Sequence, residues 1–286
     1  MMLIFAAAFL AYPTPAHAQG RIERRMPLNP NASVKAFVPA GSVRLVGWDR
    51  DSLVIIGTLG RGAHFSFGGD RRGVKFDVSD NARSQNSQPS HFDVYVPKAS
   101  RVSVKCVSAN IDASDVSGWF YAVGGHIQLR GSASEVEAEA MDGDVTVAVS
   151  APWVRARTGS GTLRLGGRVQ DAAASSITGA VMISAAGLTR GQFGSVTGNV
   201  LFEAPLGEGG IFDFDDHSGT VELRLPPTTA GSFQLTTIEG TIDNNITSLR
   251  PASMGTSRGK TLAFRIGTGG AHVTVRTFKG AIRLLR

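Results

Sequence analysis

The sequence predicts an all-β, single-domain β-solenoid, parallel β-helix-like, with about 18–21 residues per coil. Three observations predict it. A glycine followed by an apolar–any–apolar triplet recurs at nearly constant spacing. Period-two alternation, the mark of a half-buried strand, precedes each glycine. The apolar positions fall on odd offsets before the glycine and on even offsets after it, so both strands keep one interior across a bend. Repeats of this length suit one turn of a coil wound around a shared core.

The repeat is clearest in the middle of the chain. Gly125 leads Ile127 and Leu129, Gly143 leads Val145 and Val147, and Gly161 leads Leu163 and Leu165. Gly179, Gly198, Gly219, Gly240 and Gly280 continue it. The spacings run 18, 18, 18, 19, 21 and 21, then 40, which reads as about two further periods. Gly41 and Ala109 hold the same place nearer the start. The positions seven, five and three before each corner carry Val102, Val104 and Cys106, then Val136, Ala138 and Ala140, then Phe212, Phe214 and Asp216. Each repeat is thus a strand, a glycine corner, a second strand and a connection. Glycine is expected at the corner for the positive φ that a tight bend or bulge often needs. An antiparallel meander would alternate its turn lengths, and the even spacing argues against it.

Around this body the chain is less regular. Residues 1–18 carry no charge, hold a short apolar run and end in Ala16-His17-Ala18, which reads as a secretory signal peptide. The β-solenoid domain is then 19–286, exported to the periplasm, cell surface or medium. It has no apolar run long enough to span a bilayer as a helix. Residues 60–90 break the repeat and read as an irregular insertion or cap, since solenoid ends expose strand edges that need covering. The single cysteine, Cys106, excludes an internal disulfide and reads as a small buried hydrophobe.

Four stretches resemble a known family. Residues 37–59 (FVPAGSVRLVGWDRDSLVIIGTL), 91–107 (HFDVYVPKASRVSVKCV), 219–246 (GTVELRLPPTTAGSFQLTTIEGTIDNNI) and 267–285 are similar to segments of a bacterial "putative adhesin" family. The resemblance covers most of residues 32–286. It implies an exported, β-solenoid-like, non-enzymatic envelope protein, and it supplies no catalytic residues.

Stacking coils in register places equal offsets about 4.8 Å apart. The positions six and four before the glycine then set Trp119 and Tyr121 beside Glu137 and Glu139, and these beside Arg155 and Arg157. Glu137 is expected to face Arg155, and Glu139 to face Arg157. This is a surface charge ladder or a shallow ligand site, in which aromatic faces give flat contact area and charges orient hydroxyls. Asp213 and Asp215 are expected to point outward between Gln192 and Gly194 on one side and Gln234 and Thr236 on the other, a poor cage for calcium. No catalytic residues, metal ligands or cofactor are assigned.

The formal charge of +6 suits anionic partners. The expected partner is a glycan or an anionic envelope polymer, and nucleic acid is not expected. The function read from the sequence is a non-enzymatic exported β-solenoid, an adhesin or an envelope-binding scaffold. The rivals are a β-helix carbohydrate-active enzyme and an envelope scaffold assembling end to end. Oligomeric state is left open.

Overall fold

The computed structural model describes residues 20–80, 88–255, 258–268 and 270–286, and the segment read as a signal peptide lies outside them. The chain winds as a parallel β-solenoid with two strands per coil. One strand precedes the glycine corner and one follows it, so the coils build two faces around a common interior. Val136 lies opposite Val154 and Val145 opposite Leu163, an offset of 18 along the chain in both strands. The offset grows to 19 at Ala172 and Gly191, and to 21 at Gly191 and Phe212. One coil is shorter than expected: Arg101 pairs with Ser117, an offset of 16.

The interior explains the growth. Ala138, Ala140, Ala156, Ala172 and Ala174 fill the middle coils and are buried. Phe193, Phe202, Phe212 and Phe214 fill the next ones, with ring centroids 5.4–5.9 Å apart. Phenyl rings hold the two faces further apart than alanines do, and a wider coil needs more backbone. Each such buried side chain contributes about 1.5–3 kcal/mol relative to exposure.

The corner glycines are needed for a different reason from the one expected. None of those from Gly125 to Gly280 in the repeat has a positive φ, although Gly41 does, at 116°. The cause is stacking. A Cβ on Gly161 would lie 2.1 Å from the carbonyl oxygen of Gly143, and one on Gly179 would lie 1.8 Å from that of Gly161. The corners pack backbone on backbone, with no room for a side chain.

A polar ladder lines the inside of this corner. Thr158, Ser176 and Ser195 stand three residues before their glycines and point inward. The amides of Gly161, Gly179 and Gly198 donate to these hydroxyls at 3.2, 2.8 and 2.9 Å. The Thr158 hydroxyl donates in turn to the Gly143 carbonyl, 2.8 Å away in the coil before. The Thr158 hydroxyl therefore satisfies two backbone groups, and each hydroxyl gives its glycine amide an acceptor within the corner.

Outside the same corner, the residue two before each glycine faces solvent. Val107, Val123 and Met141 begin this column, and Gly159, Ile177 and Val196 continue it. Corner hydrogen bonds tie each coil to the last, as from Gly124 to the Val107 carbonyl and from Asp142 to the Val123 carbonyl, both 2.7 Å.

Both ends depart from chain order. The coil holding Phe212 and Val221 is followed in space by the strands Ala271–Thr277 and Ile282–Leu285, with Phe212 opposite Val273 and Val221 opposite Ile282. The strands Gly231–Thr237 and Ile242–Asn244 lie beyond, on the far side of that last coil. The coil after Gly219 is thus displaced outward, and the expectation of simple succession is corrected. The start repeats the device. Ser33–Trp48 sits between Arg101–Ser114 on one side and Gly73–Asp80 with Ser90–Pro97 on the other.

Antiparallel strands then cover the ends. Ala63–Asp70 pairs with Gly73–Asp80 as a hairpin within the irregular segment 60–90, while residues 81–87 of that segment lie outside the described ones. Ser52–Thr58 covers Ser90–Pro97, Arg21–Pro27 covers Ser52–Thr58, and Lys260–Ile266 covers Gly231–Thr237. Arg21, Arg24, Arg25 and Pro27 occupy an outermost strand, where charge and proline discourage further edge pairing.

Candidate functional site

Parallel register decides which outward side chains are neighbours. On the face ahead of the corners, Glu137 lies opposite Trp119 on one side and Arg155 on the other, and Glu139 lies between Tyr121 and Arg157. All six residues singled out by spacing therefore meet on one face. The Trp119 and Tyr121 rings stack at 5.5 Å with planes 15° apart. The Lys105 ammonium lies 5.4 Å from the Tyr121 ring centre. Together they form an aromatic platform flanked by a cation, an arrangement suited to flat polar molecules.

The ion pairs form differently from the backbone register. Arg155 reaches diagonally to Asp171 at 2.9 Å and lies over the Trp153 ring at 4.6 Å. Trp153 provides a flat support that Glu137 lacks, and Asp171 a carboxylate near that support. Glu137, Glu139 and Arg157 have no ion pair among the described residues. Arg157 and Glu137 are exposed, so both remain available to a ligand. Pairing the rows six and four before the glycine misses Trp153 and Asp171, which stand in the row eight before it. The same counting finds them there, since Glu135 lies opposite Trp153 and Trp153 opposite Asp171.

Beside this patch runs a shallow groove of about 670 Å³. Ala173, Ser175 and Gly194 make its floor because their side chains are short or absent, and Gln192 also lines it. Arg157 stands on one wall. Asp213 and Asp215 stand on the other with Arg276, whose guanidinium is 3.7 Å from the first carboxylate and 3.3 Å from the second. Gln192 and Gly194 flank the aspartates as expected. The other neighbours are Thr274 and Arg276 rather than Gln234 and Thr236, because the last coil slots in between.

The two most perturbed acids lie inside. Burial pushes the Cys106 thiol up to about 12, so at neutral pH it is a packed hydrophobe rather than a nucleophile. Burial also raises Asp216 to about 6, against the pull of the Gly219 and Ser218 amides that donate to it. Asp216 holds the ladder position of Thr158 and Ser195 and is 7% exposed, and its second carboxyl oxygen has no partner among the described residues. No group of three or more His, Cys, Asp or Glu among the described residues could hold a metal ion. No helix among them is long and apolar enough to cross a membrane.

A family model, Toastrack DUF4097, matches residues 61–285. Among solved structures, a Bacteroides fragilis protein named a "putative adhesin" is 12% identical, with 94% of this chain and 98% of that one covered at a TM-score of 0.52. A Parabacteroides distasonis protein named a "putative lipid binding protein" is 9% identical, with 93% and 97% covered at the same TM-score. At such identities the likeness is one of fold, and neither name denotes an enzyme. No curated protein matches in sequence.

Proposed function

The chain belongs to the Toastrack DUF4097 family, and on that premise we propose an exported, non-catalytic β-solenoid that binds a polar envelope polymer across the face ahead of its glycine corners. The polymer is a glycan with acidic as well as hydroxyl groups. The observation that carries this reading is the continuity of one surface. The Trp119–Tyr121 platform, the exposed Glu137 and Arg157, and the small-residue groove ending at Asp213 and Asp215 follow one another across neighbouring strands. Strands about 4.8 Å apart give this surface a regular rise, which suits a repeating ligand better than a compact one. Arg157 has no protein counter-ion among the described residues and meets an acidic group, while the ring faces receive the apolar faces of sugars. The groove is open and shallow, as binding of a long chain requires, and it lacks the enclosure typical of small-molecule sites.

A glycan array followed by titration calorimetry tests this. Trp119→Ala and Arg157→Ala are each expected to weaken binding about tenfold or more, as truncation of a central aromatic or arginine anchor does. Arg44→Ala, on the other face, is expected to leave it unchanged. Equal binding by all three variants and the parent, or no binding to any array member, rejects the reading.

A further inference from the structure

We propose that this protein pairs with a second copy of itself through the outer ridge of its glycine corner, the two ridges lying antiparallel. The proposal rests on a different observation from the ligand surface, whose edge row, with Glu139, Arg157 and Asp215, runs along one flank of this ridge.

The ridge gathers the exposed apolar surface of the molecule. Eleven large hydrophobic residues are exposed among the described residues, and seven of them stand two positions before a corner glycine or its stand-in Ala109. That offset is one position per coil, so scattered surface hydrophobics would place about one there. Ile177 and Met141 are the most open, at 58% and 53%. The column does not stop where the chain order breaks. His217, Phe278 and Ile238 carry it across the inserted coil. The His217 and Phe278 rings stack at 5.1 Å with planes 5° apart. The Lys279 amide donates to the His217 carbonyl and the Glu239 amide to the Phe278 carbonyl, each at 2.7 Å. Nine coils in step give a ridge about 38 Å long.

Its shape and flanks select the occupant. The ridge is convex and one side chain wide, so it cannot enclose a small apolar molecule. Its partner must keep in step with a rise of about 4.8 Å over nine coils, and a second copy has that rise by construction. The flanking rows decide between a copy and an anionic bilayer. Lys105, Arg157, Arg276 and Lys279 are balanced by Glu139, Asp142, Asp215 and Glu239. With no net charge along its flanks, the ridge has no electrostatic attraction to an anionic membrane.

The same rows choose the direction. Parallel ridges would set Asp142 against Glu139 and Lys279 against Arg276. Antiparallel ridges set Lys279 against Gly124 and Glu239 against Ser108. The one acidic approach left, Glu139 to Asp215, meets an aspartate that Arg276 already neutralises at 3.3 Å. Ile177, fifth of nine, then faces its own copy across the two-fold axis, and Val107 faces Ile238. The buried apolar area is on the order of 500 Å² per copy, below the size of stable interfaces and in the class of weak, transient ones, so a reversible dimer is expected.

Sedimentation velocity over about three decades of concentration centred near 10 µM is the test. The parent chain is expected to pass from monomer to dimer. Ile177→Lys is expected to weaken dimerisation at least tenfold, with an unchanged melting temperature as its folding control. Ile177→Cys is expected to give a disulfide-linked dimer under oxidised glutathione, and Val107→Cys is not; the native Cys106 is buried and does not interfere. A parent chain that stays monomeric throughout overturns the proposal. So does cross-linking by Val107→Cys in preference to Ile177→Cys. Co-sedimentation of a monomeric parent with phosphatidylglycerol vesicles, lost in Ile177→Lys, overturns it in favour of a bilayer.

Discussion

The coils between Arg101 and Arg224 and the coils at the two ends are made of the same strands and corners, yet they are assembled differently. In the middle, sequence neighbours are spatial neighbours, and each step of one coil along the chain is also a hydrogen-bonded register. At the ends, one coil is held between two others out of chain order. Period-two alternation specifies which way a strand faces and leaves open which strand it lies beside. The middle needs no further instruction, because the short connection permits one neighbour. The ends do need it, and side chains outside the apolar pattern supply it.

The largest effect expected from this contrast comes from removing residues 271–286. That deletion leaves the strands of the Phe212 coil with a neighbour on one side only and Gly231–Thr237 without its parallel partner. Limited proteolysis is expected to remove the remainder from about residue 225 onward, while the in-order coils survive as a protected core. Loss of the whole fold instead would show that the middle does not stand by itself and that middle and ends fold as one unit.

A smaller effect is expected within the in-order stack. Gly179→Ala drives a methyl into the Gly161 carbonyl at a site with no freedom to move. A cost of about 3 kcal/mol is expected, from the upper range for overpacking, read as a lowered midpoint in urea. A neutral outcome would mean that the corners are looser than their backbone contacts indicate.

The smallest effect falls where the two regions join. Asp216 lies between Ser195 of the in-order stack and Thr277 of the inserted coil. A hydroxyl there can both accept from its glycine amide and donate to a neighbouring carbonyl, whereas a carboxylate can only accept. Burial raises the Asp216 carboxyl to about 6 from 3.8, so the folded chain holds a proton that the unfolded chain releases. Its stabilising contribution is complete below pH 3.8 and is lost as the pH rises through about 6. Asp216→Thr is therefore expected to raise stability by about 1–3 kcal/mol at pH 8 and by little at pH 4, in paired thermal melts. A gain of equal size at both pH values would detach the effect from the carboxyl.

The same division marks how far the sequence could be read. The spacing of Gly143, Gly161 and Gly179 established the coil and the register, and with them the meeting of Trp119, Glu137 and Arg155 on one face. It could not show that Arg155 turns to Asp171, because side-chain reach follows the support that Trp153 offers and not the strand pairing. The insertion of the last coil was also hidden, since Val273 and Phe233 present equally apolar faces to Phe212. One signal was available. Asp213 and Asp215 side by side lacked a counter-charge in Gln234 and Thr236, and Arg276 supplies it. The role of the corner glycines was hidden for another reason. A residue kept small for φ and one kept small for contact look alike in a sequence.

The late-arriving final coil has a consequence for how the molecule is made. A ribosome delivers the slot before it delivers what fills it. The nascent chain must hold two raw strand borders apart until residues 271–285 emerge, while the antiparallel strand from Lys260 to Ile266 covers only the opposite, outer edge of Gly231–Thr237. Completion of this molecule is thus an act of closure at a keystone, and a chain halted before it carries a sticky gap.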